Sequence, residues 1–245
     1  MEVAVVIPTV LRPTLRDALR SVFLQDLSAR IHVLIGIDAL RGNLDMLDEA
    51  CRDRPEHCVV QVFHPGYSTS VRHGGLHPAR DGGVLRTVLT YLANAPIVAY
   101  LDDDNWWAPE HLRLASEAIH GGGQWAYTLR WFVHPVSRRA ICVDQWESVG
   151  PGNGLFKQTM GGFVDPNCLM IDKMACAGVI PFWTVPLPGD QKAMSADRNV
   201  FNMLKSHFRP AAVDTPTVFY QLDPHDGMHP LRLQMIGRAY DDAAE

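Results

Sequence analysis

Lysine is scarce in this chain of 245 residues. Of 22 basic side chains only Lys157, Lys173, Lys192 and Lys205 are lysines, and the formal charge is -5. A mildly acidic balance argues against an extended nucleic-acid surface, which needs clustered positive charge. No apolar run reaches the ~20 residues of a membrane-spanning helix. Met1 leads directly into a strand-like run, so the expectation is a soluble, unexported, cytoplasmic protein without a transmembrane segment. The five cysteines (Cys51, Cys58, Cys142, Cys168, Cys176) are odd in number and lack a CxxC pair. That excludes a fully paired disulfide framework and a structural zinc site, and fits reduced thiols. No glycine follows the first apolar run, where a dinucleotide-binding fold places GxGxxG. Repeats, low-complexity segments and linkers are absent. The whole of 1–245 therefore reads as one domain, and composition sets no bar to a homo-oligomer.

What is present is an unusual run of acids. Asp102-Asp103-Asp104 follows the apolar residues 97–101, which suit a buried strand, and precedes Asn105-Trp106-Trp107. Side chains alternate along a strand. On that spacing Asp102 and Asp104 share one side, roughly 6–7 Å apart at Cα, and Asp103 takes the other. Two such carboxylates can share a hard divalent cation, Mn²⁺ or Mg²⁺, that also binds phosphate. The same acids would equally serve as a solvated turn before the next helix, where Pro109 suits the first turn and Leu112, Ala115 and Ile119 form one face.

Apolar runs at 3–7, 31–37, 59–63 and 97–101 alternate with helical patterns at 15–23, 44–51 and 84–92, the last of them started by Asp81. Alternation of this kind predicts an α/β fold with a mainly parallel sheet flanked by helices. Ligands of such sheets bind beyond the carboxyl ends of the strands, and Thr9, Asp38 and residues 102–104 all fall at such ends. After 116 the pattern changes. Strands are expected at 125–133 and 140–143, joined by a hairpin through Pro135, and at 166–171 and 217–221, forming a smaller mixed second sheet. A glycine-rich loop is expected around Lys157, and a helix capped by Ser195 carries Val200, Phe201 and Leu204.

This order of motifs resembles the family 2 glycosyltransferases of GT-A fold. Val5-Val6-Ile7-Pro8-Thr9 followed by Arg12-Pro13 is similar to that family's first strand and turn. Asp38 closes the second strand, Ala79-Arg80-Asp81 resembles its Ala-Arg-Asn segment, Leu101-Asp102-Asp103-Asp104 its DxD motif, and Ala196-Asp197-Arg198 its later acidic motif. The resemblance covers roughly 3–222 and departs in three places: Ile37 and Ala196 stand where acids are usual, and Asp81 where Asn is usual.

The resemblance implies a transferase that moves a sugar from a nucleotide-sugar donor, UDP-sugar favoured, to an unidentified acceptor hydroxyl. Residues 1–115 would bind nucleotide and 116–245 acceptor. Pro8, Thr9, Arg12, Asp38, Arg80, Asp102 and Asp103 would form the nucleotide pocket. Asp102, Asp104 and His225 would hold Mn²⁺ or Mg²⁺, with His229 the competitor of His225. Trp106 and Trp107 would stack on a sugar, and Asp197 would be the base of an inverting displacement. A nucleotidyltransferase on a related sheet and a non-catalytic sugar-nucleotide binder are the alternatives.

Overall fold

The structure is a computed structural model that describes residues 2–79, 82–189 and 196–244. The first strand, β1 (Glu2–Thr9), is built of Val3, Ala4, Val5, Val6 and Ile7, all fully buried. The continuous apolar run covers both faces, as a central strand requires. Helix α1 (Leu15–Phe23) turns Leu15, Ala18, Leu19 and Val22 into the core, the spacing of one helical face. Strand β2 (Arg30–Ile37), helix α2 (Asp45–Cys51) and strand β3 (Cys58–Phe63) follow. Helix α3 (Gly83–Leu92) then leads to β4 (Ile97–Tyr100), the two-residue β5 (Trp106–Trp107) and α4 (His111–His120).

The second half contributes β6 (Trp125–Val133), β7 (Ala140–Val143), β8 (Gly150–Pro151), the single-turn α5 (Lys157–Met160), β9 (Gly162–Phe163) and β10 (Leu169–Asp172). It ends with α6 (Ala196–His207), β11 (Pro210–Gln221), α7 (His229–Ile236) and α8 (Ala239–Ala244). The expected loop around Lys157 thus holds a helical turn. The strand expected at 166–171 begins only at Leu169, because Pro166–Cys168 forms a 3₁₀ turn with Asp165 accepting from the Asn167 N–H. Asp81 and Ser195, the expected helix starts, lie outside the described residues.

One nine-stranded sheet runs through both halves, in the order β3-β2-β1-β4-β10-β6-β11-β5, with β7 beside β6. It is mixed, not mainly parallel. β1 runs parallel to β2 and β4, β2 to β3, and β6 to β11. β10 is antiparallel to both β4 and β6, β5 to β11, and β7 to β6. Apolar runs do not encode strand direction. β10 re-enters from the opposite end and fills the gap between β4 and β6, so the strands of the second half join the first sheet. Among the described residues the separate second sheet is the antiparallel pair β8–β9. A small satellite core of Phe132, Leu222 and Ile236 lies under the C-terminal helices, with Tyr220, Trp146 and Tyr240 packed around it.

The parallel set β2-β1-β4 brings Ile37, Thr9 and Tyr100 to one edge of the sheet. A pair of glycines allows close packing at that edge. Gly82 has φ +71, and a Cβ there would stand 2.6 Å from the Pro8 Cβ. At Gly83 a Cβ would meet the Trp183 carbonyl oxygen at 2.1 Å. The start of α3 therefore sits directly against the end of β1.

Candidate active site

The edge opens into a cleft of about 530 Å³. Thr9 supplies its first fixed point: the hydroxyl donates to Asp103 Oδ2 at 2.6 Å and accepts from the Leu11 N–H at 2.8 Å. Arg12, on the following loop, reaches Asp103 Oδ1 at 3.3 Å and also pairs with Asp104. The three acids do not continue β4. They occupy a turn in which the Asn105 N–H donates to the Asp102 carbonyl at 3.3 Å, and the pairing of β4 with β1 stops at Tyr100. Asp103 still points inward and is 4% exposed. Asp102 and Asp104 keep 31% and 35% of their side-chain surface open.

Asp102 is gripped from two sides. Arg86, buried on α3 with its guanidinium 5.3 Å from the Trp183 ring centre, pairs with Oδ1. Asn167 donates from Nδ2 to Oδ2 at 2.9 Å, and its Oδ1 accepts the Asp102 N–H at 2.7 Å. Desolvation, then the charge of Asp102, pushes the Asp104 carboxyl up to about 7 against the pull of Arg12. Burial raises Asp103 as well, less far because Arg12 and the Thr9 hydroxyl favour its anion.

Asp38, buried at the end of β2, accepts from the Thr69 N–H at 2.9 Å, the Thr69 hydroxyl at 2.6 Å and the Ser68 hydroxyl at 2.9 Å. It therefore pins the 64–79 loop over the cleft. Asp197 opens α6, where Oδ1 accepts the Arg198 N–H at 2.8 Å. Desolvation lifts its pKa to about 6, with the Arg198 charge and N–H working the other way.

The back wall is a buried ionic hub. Arg130, 1% exposed, donates to Asp144 (2.8 Å), Asp165 (2.8 Å) and Glu147 (3.1 Å). Arg232 bonds Glu147 at 2.6 and 2.8 Å and Asp226 at 2.7 Å. Both guanidiniums lie near the Tyr220 ring, Arg130 at 4.0 Å. Asn167 joins this hub to the acid turn, since Nδ2 also donates to Asp165 Oδ1 at 2.7 Å. Burial opposes ionisation of Asp144, yet Arg130 and three backbone N–H donors hold it below the usual carboxylate range.

Of the residues expected in the site, Pro8, Thr9, Arg12, Asp38, Asp102, Asp103, Asp104, Asp197 and His225 all line this cleft. Arg80 lies outside the described residues. Trp106 and Trp107 stand away from it in β5. Trp107 is 3% exposed, stacks on His111 and donates Nε1–H to the Asn167 carbonyl at 2.9 Å; Trp106 stacks on Phe219. Pairing of β5 with β11 fixes both rings. His229 is buried against Tyr240. His225 is exposed on the cleft lip, and among the described residues no three His, Cys, Asp or Glu side chains gather as metal ligands. Sequence reading missed Arg86, Asn167, Arg130 and Arg232. Arg86 carried a signal, the one charged side chain of an otherwise uncharged helix; the others are brought in by folding alone.

No protein-family model matches the sequence, and no curated protein matches it. Solved structures do match. The 1–349 fragment of TarS from S. aureus superposes with a TM-score of 0.62 at 16% identity, over 90% of this chain and 60% of that one. Its complex with UDP-GlcNAc gives 0.61 at 15% identity, over 99% and 66%. The mannosyltransferase PcManGT from Pyrobaculum calidifontis, in complex with GDP-Man and Mn²⁺, gives 0.58 at 13% identity, over 95% and 60%. The chain shares the GT-A fold of these structures. It spans less than two thirds of the TarS and PcManGT chains named first and last. Within a GT-A fold, the cleft lies at the edge where β1, β2 and β4 end.

Proposed function

We propose that this GT-A chain transfers a sugar from a nucleotide-sugar donor, a UDP-sugar in the favoured case, to an acceptor hydroxyl, with inversion as in family 2. One observation carries the reading. Thr9, Asp38, the 102–104 turn and Asp197 come from four separate segments and open onto one cleft. UDP, UDP-GlcNAc and GDP-Man with Mn²⁺ in the neighbouring structures support a nucleotide donor and a divalent cation. The five unpaired thiols support a cytoplasmic enzyme.

A hard dication fits the residues present. Asp102 and Asp104 offer carboxylate oxygens to the cleft, and burial together with the charge of Asp102 raises the Asp104 carboxyl against the pull of Arg12. Asp104 and Asp102 would hold Mn²⁺ or Mg²⁺, with His225 the candidate third ligand; a site with so few protein ligands suits a cation shared with phosphates. When bound, the cation supplies Lewis-acid neutralisation of the departing diphosphate. Thr9 orients Asp103 for the ribose. Asp38 holds the 64–79 loop and keeps an acceptor position on Oδ2 for the base. Asp197 takes the proton of the acceptor hydroxyl, whose oxygen bonds the anomeric carbon as the carbon–oxygen bond to the nucleoside diphosphate breaks. A carboxylate of pKa about 6 is mostly ionised at neutral pH and still basic enough for this.

A thermal-shift screen of UDP and GDP, each with and without Mn²⁺ or Mg²⁺, tests the reading. Ligands that bind only the native state raise the melting temperature. A shift that needs both nucleotide and cation, followed by sugar transfer lost in Asp104→Ala, is the expected result. No shift with any nucleoside diphosphate, or normal turnover by Asp104→Ala, would refute it.

A further inference from the structure

The oxygens of the acid turn are not equally committed. Asp102 has one oxygen on Arg86 and the other on Asn167. Asp103 has one on Thr9 and the other near Arg12. Asp104 differs: among the described residues Arg12 is the one side chain bonded to it, through Oδ2. The two arginines differ as well. Arg86 is 6% exposed at its side chain and locked against Trp183, whereas Arg12 is 46% exposed and sits on a loop. A buried guanidinium cannot leave its partner without stranding a charge. A half-exposed one gives up an ion pair worth little.

We propose that Arg12 is an exchangeable counter-cation: it bridges Asp103 and Asp104 until a divalent cation takes Asp104, and then pairs with the diphosphate of the donor. The proposal rests on the glycosyltransferase reading above. Arg12 and a dication compete for one carboxylate, so each weakens the other. The diphosphate reverses the sign, because a released guanidinium in the cleft wall is a forked donor suited to phosphate oxygens. Arg86 keeps Asp102 in place throughout, so the turn is never without a positive partner.

Arg12→Gln tests the exchange, since the exposed side chain can be changed without opening the core. Mn²⁺ binding to the protein alone is read by the electron-spin signal of free Mn²⁺. UDP binding at saturating Mn²⁺ is read by calorimetry, with GDP as a second arm. Arg12→Gln should bind Mn²⁺ alone about twofold to fivefold more tightly and the nucleoside diphosphate about twofold to fivefold more weakly, the range expected for a partly exposed charge pair. Arg16→Gln makes the same change in net charge but removes a pair with Glu49, so both affinities should stay at wild-type values. Movement of both affinities in one direction, no movement, or equal effects from Arg16→Gln would overturn the exchange. If wild type binds neither Mn²⁺ nor nucleotide, the glycosyltransferase reading falls too.

Discussion

Asp197→Asn should make the protein more stable while removing its activity. In the fold the Asp197 carboxyl titrates at about 6 instead of its ordinary 3.8. The folded state therefore binds this proton more tightly than the unfolded chain does. Below pH 3.8 both states are protonated and nothing is lost. Between 3.8 and 6 the unfolded chain ionises first, and native stability declines as pH rises. Above 6 the full cost is present. A tenfold change in proton affinity is worth about 1.4 kcal/mol, so the displacement corresponds to about 3 kcal/mol at full strength. The side chain keeps some solvent contact, which screens the charge and reduces the expected cost to about 1–2 kcal/mol. Asparagine has the same shape, no charge, and a carbonyl oxygen that can still accept the Arg198 N–H. Urea unfolding at pH 7.5 should therefore show Asp197→Asn about 1–2 kcal/mol more stable than wild type, a gain of about 2–8 °C in melting temperature for a chain of this size. At pH 4 the gain should shrink toward zero. Transfer at pH 7.5 should fall by about 10²-fold or more. A variant no more stable than wild type at pH 7.5, or equally stabilised at pH 4, would show that Asp197 carries no charge penalty and would remove the physical case for it as a tuned base.

Three more outcomes follow from the same geometry. At saturating Mn²⁺, which keeps Asp104 ionised, transfer by the wild type should fall about tenfold per pH unit below 6 and level off above it, because the base must be ionised; a flat kcat/KM profile from pH 5 to 8 would place the base elsewhere. Arg130→Met strips the shared cation from Asp144, Glu147 and Asp165 and should cost about 3–5 kcal/mol in urea unfolding; a loss below 1 kcal/mol would mean the hub is already relaxed by water. Asn167→Leu removes the bonds to Asp102 and Asp165 and should weaken Mn²⁺-dependent nucleotide binding by about tenfold or more, with unchanged affinity by calorimetry the contrary result.

The first half of the chain was the more legible because its strands are continuous apolar runs. Val3 to Ile7 could only be buried on both faces, and the strand-end positions of Thr9, Asp38 and the 102–104 acids follow from where those runs stop. The second half hid its order. Residues 166–171 looked like one strand but were divided by a proline-initiated 3₁₀ turn, whose Asn167 then faces Asp102, 65 positions away. Trp106 and Trp107 beside the acids suggested a sugar platform, yet pairing of β5 with β11 commits Trp107 to the core. α7 and α8 carry Arg232 and Tyr240 and show no apolar face in the sequence, since the buried side of α7 is His229, Arg232 and Ile236.

By itself the sequence determined the alternation of strands and helices, the edge where their acids collect, and the mild excess of negative charge. Those depend on local periodicity and on composition, which every residue carries with it. Only the tertiary structure decided which way β10 enters the sheet, which arginine meets which aspartate, and that Asp197 shares a cleft with residues nearly a hundred positions earlier. Direction, pairing and desolvation are properties of contacts between distant segments, and a buried charge has its partner and its proton affinity set by whatever the fold packs around it.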